Sequence, residues 1–152
     1  MIPNSIHVPP RLETSEHIFL VEAMERSQDQ LVLIVDDDES VLRAMGRFLQ
    51  SAGFRVKTFS SGKAFLDSEF QKDNACLIVD VKMPEMNGLE LYQKLLDQGI
   101  HLPVIFITAY DTVDIRKKAH SLGAASYFRK PVDGQALIDS IHWAITQNQE
   151  TP

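Results

Sequence analysis

Residues 31–40 read LVLIVDDDES, so that five apolar residues run directly into four acidic ones. A short, continuously apolar run rich in β-branched residues is typical of a strand that is covered on both faces, as the strands of parallel sheets are. We therefore predict a buried strand over residues 31–35. The side chains of Asp36, Asp37, Asp38 and Glu39 would then lie at its carboxyl end, where their crowding requires an explanation.

The pattern around this stretch repeats five times along the chain. Short apolar runs alternate with longer segments of helical periodicity, which indicates βα units around a parallel sheet. Right-handed crossovers leave few arrangements for five such units, and the usual one is a doubly wound sheet of strand order 2-1-3-4-5 with helices on both faces. We predict this (βα)5 three-layer α/β sandwich, with strands at Leu31–Val35, Arg55–Phe59, Cys76–Asp80, Val104–Thr108 and Ser126–Phe128.

The ends of the predicted helices carry recognisable signals. Gly53, Gly99 and Gly123 each follow a predicted helix, at the position where a residue in the left-handed conformation commonly ends the helix. Asn87, with Glu90 three residues later, has the pattern of a capping box at the start of one. These signals support helices between the predicted strands.

The composition indicates an ordinary globular domain and excludes several classes of protein. The chain has 152 residues, 44% of them hydrophobic, which is enough for one domain with a sizeable core. No apolar run approaches the roughly 18 residues that a membrane span needs, so we expect a cytoplasmic protein without membrane contact. The net charge of -6, with no cluster of Lys and Arg, argues against direct nucleic-acid binding. The sole cysteine, Cys76, excludes an internal disulfide and is expected to be buried.

Three parts of the chain are distinguished by their sequence. Residues 1–29 show no secretory signal and are expected to form an N-terminal extension, partly disordered, with a helical turn or two in HIFLVEAM at residues 17–24. Residues 30–148 form the predicted domain, and residues 149–152 form a tail. Because the chain ends about where the fifth helix does, we expect a stand-alone domain with no output domain after it.

The predicted fold brings acidic side chains together. In open parallel sheets, ligands bind beyond the carboxyl ends of the strands at the switch in strand order, which here falls between the first and third strands. Asp36, Asp37 and Asp80 lie there. Their carboxylates repel one another by about 4 kcal/mol per pair at a separation of about 4 Å and an effective dielectric constant near 20. Mg2+, which prefers oxygen ligands, would offset this repulsion. One residue of the acidic run, Asp38 or Asp37, could instead cap the following helix.

Two further side chains are expected at the same edge of the sheet. The run VIFIT ends in Thr108, and the run YFRKP places Lys130 before Pro131. A hydroxyl, an ammonium group and a divalent cation held by carboxylates are the groups that position and neutralise a phosphoryl group. The ends of four strands are thus predicted to form a site for phosphoryl chemistry.

The four motifs IVDDDES, LIVDVKMPEMNG, VIFITA and YFRKP resemble the consecutive signatures of the response-regulator receiver domain of two-component signalling. The resemblance extends from residue 31 to about residue 148 and implies the CheY-like, flavodoxin-like fold. It also implies that Asp80 accepts a phosphoryl group from the phosphohistidine of a sensor kinase or of a histidine phosphotransfer protein. Asp37 and Asp80 would bind Mg2+ directly, Asp36 would act mostly through water, and the backbone carbonyl of Lys82 would complete the protein ligands.

The same resemblance implies how phosphorylation would be read by a partner. Thr108 would hydrogen-bond the phosphoryl group, and Tyr127 would turn inward as a switch. This movement would change the face formed by the fourth helix, the fifth strand and the fifth helix, to which an unidentified target or a second, phosphorylation-dependent copy would bind. Phe128 would face the opposite side of its strand and belong to the core. Lys82 and Tyr110 would flank the path of an attacking water, so that Tyr110 would slow hydrolysis.

The resemblance further implies a cis bond between Lys130 and Pro131, which would aim the lysine inward.

Three alternatives explain part of the same pattern. An Mg2+-dependent phosphohydrolase with an aspartyl-phosphate intermediate would carry a second Asp two positions after the nucleophile, where this chain has Lys82. A flavodoxin-like cofactor binder would need a Gly-, Ser- or Thr-rich loop after the first strand, where this chain is acidic. The third alternative is the receiver portion of a DNA-binding transcriptional regulator that lacks its output domain.

Overall fold

The structure, a computed structural model, describes residues 15–18, 20 and 29–150. Five strands alternate with five helices from residue 31 onwards. The strands are β1 Leu31–Val35, β2 Arg55–Phe59, β3 Ala75–Asp80, β4 Val104–Thr108 and β5 Ser126–Arg129. The helices are α1 Glu39–Ser51, α2 Gly62–Leu66, α3 Gly88–Asp97, α4 Val113–Ser121 and α5 Gly134–Glu150.

The five strands form one parallel sheet in the order β2-β1-β3-β4-β5, as predicted. At the carboxyl end of the sheet, Val35 of β1 lies opposite Val79 of β3. Asp80 lies opposite Ile107 of β4, one residue before Thr108. Because the ends of β1, β3 and β4 are therefore level, the residues that terminate them project from the same edge.

A hydrophobic core lies on each face of the sheet, because successive strand residues point to opposite sides. In β1, Leu31, Leu33 and Val35 belong to one core, and Val32 and Ile34 belong to the other. All five are buried, as the continuously apolar run predicts.

The two aromatic residues of β5 follow the same alternation. Tyr127 packs against the core of Leu33, and Phe128 packs against the core of Ile34, which confirms their predicted opposite faces. Cys76 in β3 is fully buried, and its burial raises the pKa of the thiol to about 12. The cysteine is therefore a core residue, as predicted.

The predicted helix starts are confirmed by their hydrogen bonds. The Asp38 carboxylate accepts a hydrogen bond from the backbone amide of Ser40 at 2.9 Å, and α1 begins at the next residue after Asp38. In α3, Asn87 Oδ1 accepts from the Glu90 amide at 2.8 Å, while Glu90 Oε1 accepts from the Asn87 amide at 2.9 Å. The acidic run therefore serves two purposes, because its third member caps a helix and its first two remain available at the sheet edge.

The predicted helix ends are confirmed as well. Gly53, Gly99 and Gly123 have φ values of 101°, 77° and 85°, a region that glycine enters without the steric cost that a Cβ would bring. Each follows the end of a helix, so these glycines turn the chain out of α1, α3 and α4.

Three predicted boundaries differ from the structure. β3 begins at Ala75 because this residue pairs with Leu31, and β5 extends to Arg129 because this residue pairs with Thr108. α5 continues to Glu150, which is two residues into the segment predicted as a tail. Of the predicted N-terminal extension, residues 15–18 and 20 are helical, and the other residues of the first 28 lie outside the described part of the chain. None of the helices in the described part is both long enough and apolar enough to cross a membrane.

Gly88 fixes the segment that follows β3. Its amide donates a hydrogen bond to the carbonyl of Val81 at 2.9 Å, which folds the loop after Asp80 back onto the end of the strand. A Cβ on Gly88 would lie 2.5 Å from the Asp80 carbonyl oxygen and 3.0 Å from Cγ2 of Val79. The backbone at this point therefore has no room for a side chain.

Replacing Gly88 by Ala is expected to destabilise the fold by about 1–3 kcal/mol, because the added methyl must displace strand backbone that packed neighbours hold in place. Gly46→Ala in α1 is the matched control. Its Cβ would meet Val56 and Thr58 at 3.7 and 3.8 Å, which is ordinary contact, so the better helix propensity of Ala should stabilise the protein by about 0.5–1 kcal/mol. Urea unfolding of both variants measures the difference, and equal effects of the two substitutions would contradict this account.

Candidate functional site

Five polar side chains lie at the carboxyl edge of the sheet, and four strands deliver them. Asp36 and Asp37 follow β1, Asp80 ends β3, Thr108 ends β4, and Lys130 follows β5. The structure thus brings together all of the residues for which a role in phosphoryl chemistry was predicted from strand ends. The point of convergence is the switch in strand order between β1 and β3, where ligands bind in folds of this type.

The three carboxylates form one cluster. The cluster contains one carboxylate oxygen from each of Asp36, Asp37 and Asp80, and these three oxygens lie within 4.8 Å of one another. Asp36 and Asp80 are buried, whereas Asp37 is exposed. Burial and the Asp36 charge raise the pKa of Asp80, against the opposing effects of Lys130 and of a hydrogen bond from the Lys82 backbone. Burial, more than charge repulsion, therefore makes the ionised form of Asp80 costly.

Lys130 is the cation of the site. Its Nζ lies 3.1 Å from Asp36 Oδ2 and 3.4 Å from Asp80 Oδ2. Burial alone would lower the pKa of the lysine, but the hydrogen bond and charge of Asp36, together with the charge of Asp80, outweigh it and raise the pKa. Lys130 is therefore held in its charged form between two carboxylates. The peptide bond between Lys130 and Pro131 is cis.

The donor set fits a hard divalent cation. Mg2+ takes oxygen ligands in an octahedron, usually one or two carboxylates with several waters. Asp36 already uses Oδ1 to accept a hydrogen bond from the Asp38 amide at 2.9 Å and Oδ2 to accept from Lys130, whereas Asp37 is exposed. Asp37 therefore has the freer oxygens for direct coordination, whereas Asp80, whose Oδ2 lies 3.4 Å from Lys130 Nζ, stays a predicted ligand. The carbonyl of Lys82 stays a predicted ligand.

Thr108 and Tyr110 are linked through the chain that leaves β4. Thr108 is fully buried, and its Oγ1 accepts a hydrogen bond from the backbone amide of Tyr110 at 2.9 Å. Tyr110 is 61% exposed, and Nζ of Lys82 lies 5.0 Å from the centroid of its ring, a distance typical of a cation–π contact. Lys82 and Tyr110, which follow Asp80 and Thr108 by two residues, are thus in contact with each other.

Tyr127, the predicted switch residue, lies half-buried on the edge strand β5. Its hydroxyl donates a hydrogen bond to Asp111 Oδ1, with 3.1 Å between the oxygens. Arg116 Nε donates to the same oxygen at 2.8 Å. Burial first, and then the Asp111 carboxylate, raise the pKa of Tyr127 to about 12. The tyrosine is therefore tied to the segment between β4 and α4.

Sequence reasoning identified the main site residues but missed two groups of contacts. Asp111, the partner of Tyr127, and Arg116, which donates to the same oxygen, were not recognised. The tyrosine and the aspartate are 16 residues apart, and their pairing depends on how the segment between β4 and α4 lies against β5. The steric role of Gly88 was missed as well, although its place in the loop after Asp80 was a signal for a close backbone approach.

Comparison with known proteins places this geometry in a family. The family model described as "Response regulator receiver domain" matches residues 32–142. The chain is 42% identical over 118 residues to the response regulator protein TmoT of Ectopseudomonas mendocina, and 35% identical over 119 residues to the transcriptional regulatory protein FixJ of Azorhizobium caulinodans. Each match covers 78% of this chain, and 54% of TmoT and 56% of FixJ. The chain thus spans about half the length of these curated relatives.

Solved structures give the same result. The crystal structure of a response regulator receiver protein from Burkholderia phymatum is 39% identical and matches with a TM-score of 0.67, covering 78% of this chain and 96% of the other. A CheY-like receiver domain protein from Methanospirillum hungatei matches with a TM-score of 0.73 at 25% identity, covering 82% of this chain and 99% of the other. The sequence match, the fold and the acidic edge agree, and the chain therefore belongs to the response regulator receiver domain family of two-component signalling.

Proposed function

We propose that this receiver accepts a phosphoryl group on Asp80, in an Mg2+-dependent reaction, from a sensor histidine kinase or a histidine phosphotransfer protein. The observation that carries the proposal is the arrangement of Asp36, Asp37 and Asp80 in one cluster, with Lys130 Nζ at 3.1 and 3.4 Å from two of them. This combination supplies a nucleophile and the positive charge that phosphoryl transfer requires.

The proposed reaction moves the phosphoryl group between two side chains. A carboxylate oxygen of Asp80 attacks phosphorus, the new O–P bond forms as the P–N bond of the donor histidine breaks, and the departing imidazole nitrogen keeps the electron pair of that bond. Lys130 neutralises charge on the phosphoryl oxygens, a role for which its position beside Asp80 is suited. Asp36, Asp37, Asp80 and the Lys82 carbonyl would hold Mg2+, which when bound supplies further positive charge at the same oxygens.

Phosphorylation would be transmitted through Thr108 and Tyr127. An aspartyl phosphate carries about -1.5 to -2 charges and three acceptor oxygens where one carboxylate stood, and a hydrogen bond from Thr108 to one of them would draw β4 toward Asp80. Tyr127 would then turn inward and change the surface of α4, β5 and α5, to which a target or a second copy would bind. The protein would act in the cytoplasm and promote only its own phosphorylation and dephosphorylation.

A second candidate function follows from the length of the relatives. FixJ is named a transcriptional regulatory protein, and the match covers 56% of it. The chain would then be the receiver portion of a DNA-binding regulator, whose phosphorylation controls an output domain. The phosphohydrolase alternative is not favoured, because Lys82 stands where such enzymes carry their second Asp.

Incubation with acetyl phosphate and Mg2+ tests the proposed function directly. Intact-mass analysis is expected to show a gain of one phosphoryl group in the wild type and none in Asp80→Asn. Asp38→Asn is the matched control, because Asp38 belongs to the same acidic run but caps α1. This variant should be phosphorylated like the wild type. If the wild type gains mass neither with acetyl phosphate nor with a histidine kinase as donor, Asp80 is excluded as a phosphoacceptor.

The raised pKa of Asp80 predicts how stability depends on pH and Mg2+. Since the folded-state pKa exceeds the unfolded value, the folded protein binds more protons, and stability falls as the pH rises from the unfolded to the folded pKa. Without Mg2+, Asp80→Asn should therefore melt above the wild type at neutral pH, and the difference should shrink in acid. Mg2+ should raise the melting temperature of the wild type more than that of Asp80→Asn.

Thermal denaturation with and without Mg2+, at several pH values, measures both effects. Asp73→Asn removes an exposed carboxylate that lies outside the acidic cluster, so it should respond to Mg2+ as the wild type does. A wild type whose melting temperature is indifferent to Mg2+ would contradict the proposed cation site.

The contact between Tyr110 and Lys82 predicts the lifetime of the phosphoryl group. Since the ring and the ammonium group lie together, on residues that follow Thr108 and Asp80 by two positions, they should hinder the approach of water to the phosphorylated Asp80. Tyr110→Ala is expected to lose the phosphoryl group several-fold faster, and Tyr110→Phe, which keeps the ring, should behave like the wild type. The decay is followed by intact mass after the phosphodonor has been removed. An unchanged rate in Tyr110→Ala would refute the steric role of the ring.

A further inference from the structure

A hydrogen-bonded chain of three residues joins the segment after β4 to the edge strand of the sheet. The Tyr127 hydroxyl donates to Asp111 Oδ1 at 3.1 Å, and Arg116 Nε donates to the same oxygen at 2.8 Å. Asp111 lies three residues beyond Thr108, and Arg116 lies in the second turn of α4. The Asp111 carboxylate therefore connects the segment after Thr108 to Tyr127, the proposed switch residue.

This hydrogen-bonded chain fixes the orientation of the Tyr127 ring, which also packs against the core on one face of the sheet. The tyrosine is half-buried, and the Arg116 side chain, which shares its acceptor, is 55% exposed. Thr108 is fully buried, and its Oγ1 is engaged with the backbone amide of Tyr110. The Asp111 side chain is only 23% exposed and is held in turn by Arg116, so a ring that turned away from it would lose this acceptor. The inward turn is therefore incompatible with the hydrogen bond to Asp111.

We propose that Asp111 is a positioning residue that holds Tyr127 in its outward orientation and thereby opposes the activated conformation. The inference rests on the proposed function, because it concerns the switch of the same site, and it adds a residue that sets the balance between the two orientations. Arg116 supports Asp111 by fixing the carboxylate oxygen that accepts from Tyr127. Phosphorylation of Asp80 must then supply enough free energy to break this hydrogen bond.

Linkage makes the proposal measurable. A ligand that favours the inward orientation binds more tightly when the competing outward orientation is weakened. Beryllofluoride, which in the presence of Mg2+ mimics a phosphoryl group on a carboxylate, is such a ligand. If the free energy of one hydrogen bond is removed from the outward orientation, the affinity for beryllofluoride is expected to rise roughly two- to tenfold.

The experiment is a calorimetric titration of the full chain with beryllofluoride at saturating Mg2+. Asp111→Ala removes the acceptor and should bind roughly two- to tenfold more tightly than the wild type. Asp111→Asn keeps an oxygen acceptor, so its affinity for beryllofluoride should lie between those of the wild type and Asp111→Ala. Asp114→Asn removes a neighbouring exposed carboxylate that is not among the described partners of Tyr127, and it should bind like the wild type.

A double-mutant cycle with Tyr127→Phe separates positioning from a general effect of charge. Tyr127→Phe keeps the ring and removes the donor, so Asp111→Ala should change the affinity in the wild type but have no effect in the Tyr127→Phe background. Since the expected effect is a gain of affinity, a variant that folds poorly cannot imitate it. An Asp111→Ala variant that binds no more tightly than the wild type, or that gains equally in both backgrounds, overturns the inference alone. A wild type that does not bind beryllofluoride overturns the proposed function, and the inference with it.

Discussion

The site depends on the placement of one ammonium group between carboxylates. Asp36 and Asp80 are both buried at adjacent strand ends, where each would otherwise destabilise the other. Lys130 reaches Asp36 Oδ2 at 3.1 Å and Asp80 Oδ2 at 3.4 Å and offsets part of this repulsion. Three carboxylates face this one ammonium group, and burial, followed by the Asp36 charge, raises the pKa of Asp80 despite it. A site with residual negative charge is suited to attract a cation, whose charge can then be shared with an incoming phosphoryl group.

The parallel sheet is what allows such a cluster to persist. β1 and β3 are buried on both faces, and their side chains are divided between two cores, so neither strand can shift to relieve the repulsion. The level ends of the strands place Asp36 beside Asp80, and the backbone contact at Gly88 holds the following loop against Asp80. Apolar packing along the strands thus stabilises an arrangement of charges that would not assemble by itself.

How much could be predicted from the sequence depends on how local each cause is. The strands and the caps at Asp38 and Asn87 follow from neighbouring residues, and the sheet order follows from general rules of connection, so they were predicted. Convergence of the site was predictable too, because strand ends meet at one edge. The pairing of Tyr127 with Asp111 was not, since it depends on how the segment between β4 and α4 lies against β5. The ends of β3 and β5 differ by one residue because pairing partners, which no local pattern reveals, decide them.

The segment between β4 and α4 connects the two properties by which a receiver signals. Its first part carries Tyr110, whose amide donates to Thr108 Oγ1 and whose ring contacts Lys82. Its next residue, Asp111, accepts the hydroxyl of Tyr127. If Thr108 moves toward a phosphoryl group, the bond from the Tyr110 amide must adjust, and the adjacent Asp111 is displaced with the same backbone. If Tyr110 limits hydrolysis and Asp111 restrains the switch, as proposed, both would respond to one movement, and the lifetime of the signal and its strength would be coupled.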